Sequence, residues 1–413
     1  MDKVQQQADH LYKSHFGKMV SSLLCFSRDI DLETAEDLVQ DSFSAALAAW
    51  RKDGIPANPA GWIFRVCRNK ALNKIKEGTR FRNLFEEGSI SPGEPEIPGP
   101  VFDDYQLRLL FACANPELAP KVQVVITLKY VINLKVEAIA KILAMTIDGV
   151  DKLIIRARQK IREDKTLLEE PDAEALQSRI SVVHKVIYLI FNEGYKSSWG
   201  KELLREELCE EALLMNRALL NSKVGNKETA ALYALMLFNA ARLKARFGPA
   251  GELLDLEEQD RSLWDRDLIR LACHYLNQSR GGPASSYHYE AALAYLHCQA
   301  EDFAATDWPA IVRLYLRLLQ LNPNPFVELS YAIALYYSGQ RPEALSILHQ
   351  LRQHPFLSQY YLLNAALGKI YFLEGNYSAA KIFWEEALGQ TNSQAEKDFI
   401  QNKIGKADKE KKV

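Results

Sequence analysis

Apolar residues recur along this chain three and four positions apart, and no run alternates with period two for long. That spacing lines one face of a 3.6-residue helix, so the pattern predicts an all-α protein that needs no strands. Between residues 35 and 50 the helix reads twice over. Val39, Phe43, Leu47 and Trp50 form one apolar stripe toward a core, while Asp37, Gln40, Asp41 and Ser44 share a second, acidic face. A loop rich in helix breakers, RKDGIPANPAG, ends it with two prolines and two glycines. The next helix, WIFRVCRNKALNKIK, turns Ile63, Val66, Ala71 and Ile75 inward and sets Arg65, Arg68 and Asn69 on one face, with Trp62 a turn ahead. Over 134–162 a short helix spanning 135–143, with Ile139, Ala140 and Leu143 inward, precedes a three-residue turn. Thr146 is placed to cap a second helix that ends in Arg156, Arg158, Lys160 and Arg162, which is a helix-turn-helix reading.

The same periodicity fails in two places and so divides the chain. The stretch EEGSISPGEPEIPGPVFDD, residues 86–104, has too many prolines and glycines for a helix and too few apolar residues to pack, so it reads as an acidic linker. A weaker boundary lies near 168–177. The expected units are therefore 1–85, 105–167 after the 86–104 linker, and 175–405. Within the last, AIALYYSGQRPEALSILHQL and LGKIYFLEGNYSAAKIFWEEAL align at a period of 36, Gly339 over Gly375, Ala344 over Ala380 and Leu348 over Trp384. An upstream copy places Tyr315 in the position of Leu348, and Pro323 stops its helix. The pattern resembles a tetratricopeptide repeat, with Leu367, Gly368, Tyr371, Ala380, Trp384 and Ala387 as its residues in the best copy.

Length and charge sharpen this outline. A chain of 413 residues exceeds one ordinary core. Its net charge of −2 conceals two basic patches: residues 61–82 hold seven Lys and Arg against one acid, and 121–165 hold ten against five. The N-terminus has no apolar export segment and no window is long and apolar enough to span a membrane, so a cytoplasmic protein without membrane contact is expected. Six scattered cysteines with no C-x-x-C pair read as buried thiols rather than a disulfide or zinc framework. The eight histidines form no H-E-x-x-H cluster, and neither G-x-G-x-x-G nor a P-loop occurs, which leaves an enzyme, a metal or a cofactor without support. Asn192 and Glu193 in FNEGY read as a helix cap and turn.

Two chemistries remain. The acidic face of Asp37, Gln40 and Asp41 is either a solvated surface or a dock for a basic partner helix. Cations beside Trp62 either face water or track the phosphates of single-stranded nucleic acid whose unstacked bases lie on rings or in loop pockets.

AEDLVQDSF, the loop after it and GWIFRVCRNKALNKIK resemble region 2 of an extracytoplasmic-function sigma factor, and LKVEAIAKIL with IIRARQKIR resembles its region 4. LIFNEGY, ELCEEALLMNRALL, ALMLFNAARLKAR, LEEQDRSLWDRDLI and TDWPAIVRLYLRLL resemble the long C-terminal extension of the subgroup that carries a tetratricopeptide-like domain. The resemblance implies that Asp37, Gln40, Asp41 and Phe43 dock on the clamp helices of the largest subunit of core RNA polymerase. It implies that the loop Asp53 to Gly61, with Asn58, captures a flipped base of the minus-ten promoter element, beside Trp62, Arg65, Arg68, Asn69 and Lys70. At the minus-thirty-five element it implies Thr146, Lys152, Arg156 and Arg158.

The acidic linker would thread toward the polymerase active site in place of RNA, and the C-terminal domain would regulate by an intramolecular contact with the sigma domains. Asp148, Asp151 and Leu153 stand where many relatives carry basic or small polar residues, so upstream contacts should run mostly to phosphate. Gly149 inside that helix costs about 1 kcal/mol against alanine. The competing function is a helical-repeat scaffold that binds a peptide or protein partner without promoter recognition; it leaves the helix-turn-helix and both basic patches without a role.

Overall fold

Helix α1 (Lys3–Phe26) and helix α2 (Leu32–Asp53) meet at Asp31, whose carboxylate accepts from the Thr34 backbone N at 2.9 Å and so starts α2. Gly54, at φ +85°, ends it by donating to the Trp50 carbonyl. Helix α3 (Pro59–Asn83) begins at a proline that needs no partner for its missing N–H. The computed structural model describes residues 3–27, 30–83, 102–143, 145–164, 173–195, 206–249, 251–391 and 393–411. The expected 86–104 linker lies outside them apart from 102–104, which open helix α4 (Phe102–Cys113).

Helix α5 (Pro120–Ile126) runs into a π turn over Thr127–Val131, and α6 (Val136–Ile142) and α7 (Ile147–Glu163) follow as the expected pair. Every described element is helical, apart from one isolated antiparallel bridge between Phe247 and Leu253. None of the described helices is long and apolar enough to cross a membrane. Cys67, Cys113, Cys209 and Cys298 are buried, and burial pushes the Cys67 thiol up to about 11 and that of Cys113 to about 12, which leaves both unreactive at neutral pH.

The described residues form two compact units, Met1–Ile190 and Phe191–Val413. Within the first, α1 packs against α4 and the π turn as well as against α2 and α3. Gly17 on α1 permits the approach: a Cβ there would overlap the carbonyl oxygen of Val131. Helix α8 (Ala173–Tyr195) begins inside the first unit, where Arg179 Nη1 donates to the Phe111 carbonyl at 3.1 Å.

In the second unit α9 (Glu206–Asn221) leads to α10 (Lys227–Ala240), whose residues Thr229 to Phe238 are all buried. A helix apolar on every side belongs inside a bundle, and α10 packs on α9, α11 (Arg266–Gln278) and α12 (Ser286–Gln299). Helices α13 (Trp308–Leu321), α14 (Pro325–Tyr337), α15 (Arg341–Leu351), α16 (Tyr361–Leu373), α17 (Tyr377–Gln390) and α18 (Gln394–Glu410) complete it.

The 36-residue period is physical. Gly339 and Gly375, both at positive φ, turn α14 into α15 and α16 into α17. Ala344, Leu348, Leu367, Ala380, Trp384 and Ala387 are all buried. Gly368 lies directly under the Trp384 indole, where no Cβ fits, and Trp384 Nε1 donates to the Ala365 carbonyl at 3.2 Å.

Gly17→Ala forces a methyl against backbone and is expected to cost about 1–3 kcal/mol, whereas Gly389→Ala, with nothing within 4 Å on α17, is expected to be neutral or to gain roughly 0.5–1 kcal/mol. Urea midpoints of the two variants check the pair; equal midpoints would show that α1 does not meet the π turn.

Candidate functional site

Helix α2 carries its two faces as the periodicity required. Val39, Phe43 and Trp50 are buried and Leu47 half-buried, while Asp37, Gln40, Asp41 and Ser44 are exposed. Phe43 is only 5% exposed, with the ring of Tyr12 edge-on at 5.0 Å, so it sets the position of the helix and does not offer a contact surface.

Helix α3 is held against α2 by Trp62 packed edge-on to Trp50 at 5.8 Å, with Ile63, Cys67 and Ala71 buried one turn apart. Val66 and Ile75 are only half-buried, so Cys67 takes the central core position that the pattern gave to Val66. Arg65, Arg68 and Asn69 face solvent. Asn58 is the start signal of α3: its Oδ1 accepts from the Gly61 N–H at 2.9 Å. Gly61 leaves room for that cap, since a Cβ there would come within 2.8 Å of Asn58 Nδ2. Lys70 Nζ reaches Asp41 Oδ2 at 3.9 Å across the gap between the acidic and basic faces, with both groups open to water.

Helices α6 and α7 lie where the sequence pattern places two successive helices. Thr146 Oγ1 accepts from Gly149 N at 3.1 Å, so Thr146 acts first as the cap of α7. Gly149 has a local reason as well, because a Cβ would meet Thr146 Oγ1 at 2.9 Å. Val150, Ile154, Ala157 and Ile161 face inward, which leaves Asp151, Lys152, Ile155, Arg156 and Gln159 outward. Lys152 pairs with Asp148 one turn back at 2.7 Å. Ile155, 61% exposed beside Arg156, was not singled out by its sequence position, and Leu153 is half-buried.

Arg158 departs furthest from expectation. Its Nε donates to the Tyr130 hydroxyl at 2.6 Å and its Nη2 to Glu36 Oε2 at 2.6 Å, with Glu33 Oε1 at 3.8 Å. Only 25% of the side chain is exposed, so in this arrangement it cannot lie on a phosphate. Arg162 binds Asp31 at 3.3 Å and Glu33 at 2.6 Å, and Lys129 binds Glu36 Oε1 at 2.9 Å. Burial pushes the Tyr130 phenol up to about 12 against the pull of the Arg158 guanidinium, so it stays a neutral acceptor. Sequence reading missed Asp31, Glu33 and Glu36 as partners of α7; residues 122 positions apart, as Glu36 and Arg158 are, leave no periodic signal.

Among the described residues no group of His, Cys, Asp and Glu is placed to hold a metal ion. The chemistry on offer is recognition by charge: an acidic, amide-bearing face, a cationic face beside an indole, and a cationic helix whose inner edge is already paired.

Comparison with known proteins bears on both units. The sigma-70 region 2 family matches residues 12–81, and a family of unknown function, DUF6596, matches 179–280. An uncharacterized protein of Rhizobium meliloti is 32% identical over 396 residues, which cover 93% of this chain and 92% of that one. The probable ECF RNA polymerase sigma factor SigI of Mycobacterium tuberculosis is 27% identical over 160 residues, 37% of this chain and 54% of its own. The RNA polymerase sigma factor YlaC of Bacillus subtilis is 24% identical over 174 residues, 98% of its own length but 41% of this chain. No solved structure matches. A factor such as YlaC is thus spanned almost end to end by less than half of the present sequence, and with region 2 falling on the α1–α3 bundle, this chain belongs to the extracytoplasmic-function sigma factors, in a form with a large helical C-terminal extension.

Proposed function

We propose that the chain directs core RNA polymerase to promoters, with polymerase-binding and DNA-binding surfaces on its first unit and cis regulation by its second. The observation that carries this reading is the α2–α3 hairpin: an exposed face of Asp37, Gln40 and Asp41 and an exposed face of Arg65, Arg68 and Asn69 share one support. In this reading the acidic face docks on the clamp helices of the largest polymerase subunit. Phe43 fixes that face from the core. Arg65, Arg68, Asn69 and Lys70 hold the backbone of the minus-ten strand, with Trp62 as the wall beside it. A flipped base enters the loop that Asn58 anchors, and its capture offsets the few kcal/mol of unstacking.

At the minus-thirty-five element Lys152 and Arg156 meet phosphate from the outward face of α7, and Ile155 offers an apolar contact to a thymine methyl. Arg158 and Arg162 belong to a second state. Paired with Asp31, Glu33 and Glu36 they hold α7 against α2; released, they add cations to the DNA surface. Polymerase and promoter together would favour the open arrangement by binding it better than the closed one.

Three outcomes test the proposal. Asp41→Lys should abolish binding to core polymerase with an unchanged helical circular dichroism spectrum; retained binding removes the acidic face from the mechanism. Glu33→Lys weakens exposed pairs worth roughly 0.2–1 kcal/mol and should raise the affinity of the free chain for promoter duplex by up to about fivefold, while Arg156→Glu should lower it; gel shifts at fixed salt read both. Chain ending at Tyr195 keeps α8 with the first unit. Transcription by core polymerase with this shortened factor should differ from that with the full chain, and identical activity would remove the second unit from regulation.

A further inference from the structure

The second unit contains a cavity of about 550 Å³ that the proposed role does not use. Its size suits a bound group, and its wall is mostly apolar, with rings from Phe303, Trp308, Tyr315, Tyr337 and Tyr360. One segment of the chain forms part of that wall and covers its cationic rim. After the Leu243–Arg246 turn and the Phe247–Leu253 bridge, residues 251–264 form a strap, and Asp255 to Glu258 close a turn through Glu258 N–H to the Asp255 carbonyl at 2.9 Å. That turn presents three carboxylates and one leucine. Leu256 enters the cavity wall. Around it, Glu257 meets Lys369 at 2.8 Å, Asp255 meets Lys403 at 2.5 Å, and Glu258 meets Lys403 at 3.0 Å and Lys406 at 2.9 Å.

The lysines come from α16 and α18, far along the chain from the strap, so the cationic rim is built by the fold and not by the strap itself. Lys403 is the decisive one, since its side chain is 9% exposed and an ammonium withdrawn from water needs carboxylate partners. Burial works to raise the Glu258 carboxyl, but hydrogen bonds from Lys406 and Lys403 outweigh it and hold the group down at about 2. The strap is anchored at its far end and open at its turn. Trp264 is buried and Arg261 donates to the carbonyls of His297 and Ala300 at 2.7 and 2.6 Å, while Glu257 and Glu258 stay partly open to water.

We propose that this groove is a docking site for an acidic peptide segment of a partner protein, an apolar residue flanked by carboxylates in the order Asp-Leu-Glu-Glu, and that the strap is its resident competitor. The partner's carboxylates take over Lys369, Lys403 and Lys406, and its apolar side chain replaces Leu256 at the aromatic wall. A tethered competitor lowers the apparent affinity by the fraction of time it leaves the groove free. The inference concerns the second unit alone and stands whether or not the first unit binds promoters.

The test uses the full chain and a fluorescein-labelled peptide of residues 251–264, read by anisotropy. Glu257→Gln with Glu258→Gln keeps Asp255 on Lys403 and should bind the peptide at least about tenfold more tightly than the unaltered chain, because the competitor is weakened. Adding Lys369→Glu to that pair should remove the gain. Leu256→Ala, which leaves every charge in place, should also tighten binding and guards against misfolding of the charge variant. Equal affinity of both variants and the unaltered chain overturns the proposal, and so does a scrambled peptide of the same composition that binds equally well. Tighter binding of 4-phenylbutyrate than of the peptide by the Gln variant would overturn it in favour of a small-anion site.

Discussion

Glu36 is the carboxylate on which the first unit turns. It is 6% exposed, and an unpaired charge so far from water would be costly, so its two oxygens require cations. Lys129 and Arg158 provide them from the π turn and from α7, and Tyr130 holds the Arg158 guanidinium from behind. The rotation of α7 about its own axis is thereby set. With Arg158 turned toward α2 and Val150, Ile154, Ala157 and Ile161 toward the core, Lys152, Ile155 and Arg156 are the side chains left to solvent. Gly17 completes the constraint by letting the π turn come close to α1.

The neighbouring acidic and basic surfaces coexist because little joins them directly. Asp41 and Lys70 are 3.9 Å apart and both are solvated, a geometry that contributes little to stability and leaves each free to exchange its partner. What joins α2 to α3 is apolar: Trp50 against Trp62, with Ile63, Cys67 and Ala71 below. The hairpin can therefore present opposite charges on its two faces without repacking its core. The capped loop at its tip serves the same end, since the Asn58 hydrogen bond fixes where α3 begins.

Local features were legible in the sequence because they repeat or sit at fixed offsets. The stripe of Val39, Phe43 and Trp50, the Thr146 cap, the α6–α7 pair and the glycines at 339 and 375 follow from helical spacing and turn chemistry. The union of both halves of the first unit was not legible. Besides the packing of α1 on α4 and the π turn, it involves Glu36 with Arg158 and Glu33 with Arg162, pairs more than a hundred positions apart, and nothing in a periodic pattern ranks one distant pairing of charges above another. The same reason hid the true neighbours of Arg158, which an exposed basic run made look free. LEEQDRSLWDRDLI stood out in the sequence only as part of the extension; that Asp255, Glu257 and Glu258 meet lysines of α16 and α18, more than a hundred positions away, was not legible.

That separation has a consequence for the order in which the chain is made. The strap leaves the ribosome well before Lys369, and Lys403 and Lys406 follow later still. Until α18 is complete, Asp255 and Glu258 lack their cations, and the cavity lacks the part of its wall that Phe399, Ile400 and Lys403 supply. A nascent second unit therefore passes through an interval in which its strap is made but the lysines that hold it are not, and any chaperone that recognises acid-flanked leucines would compete with folding during that interval.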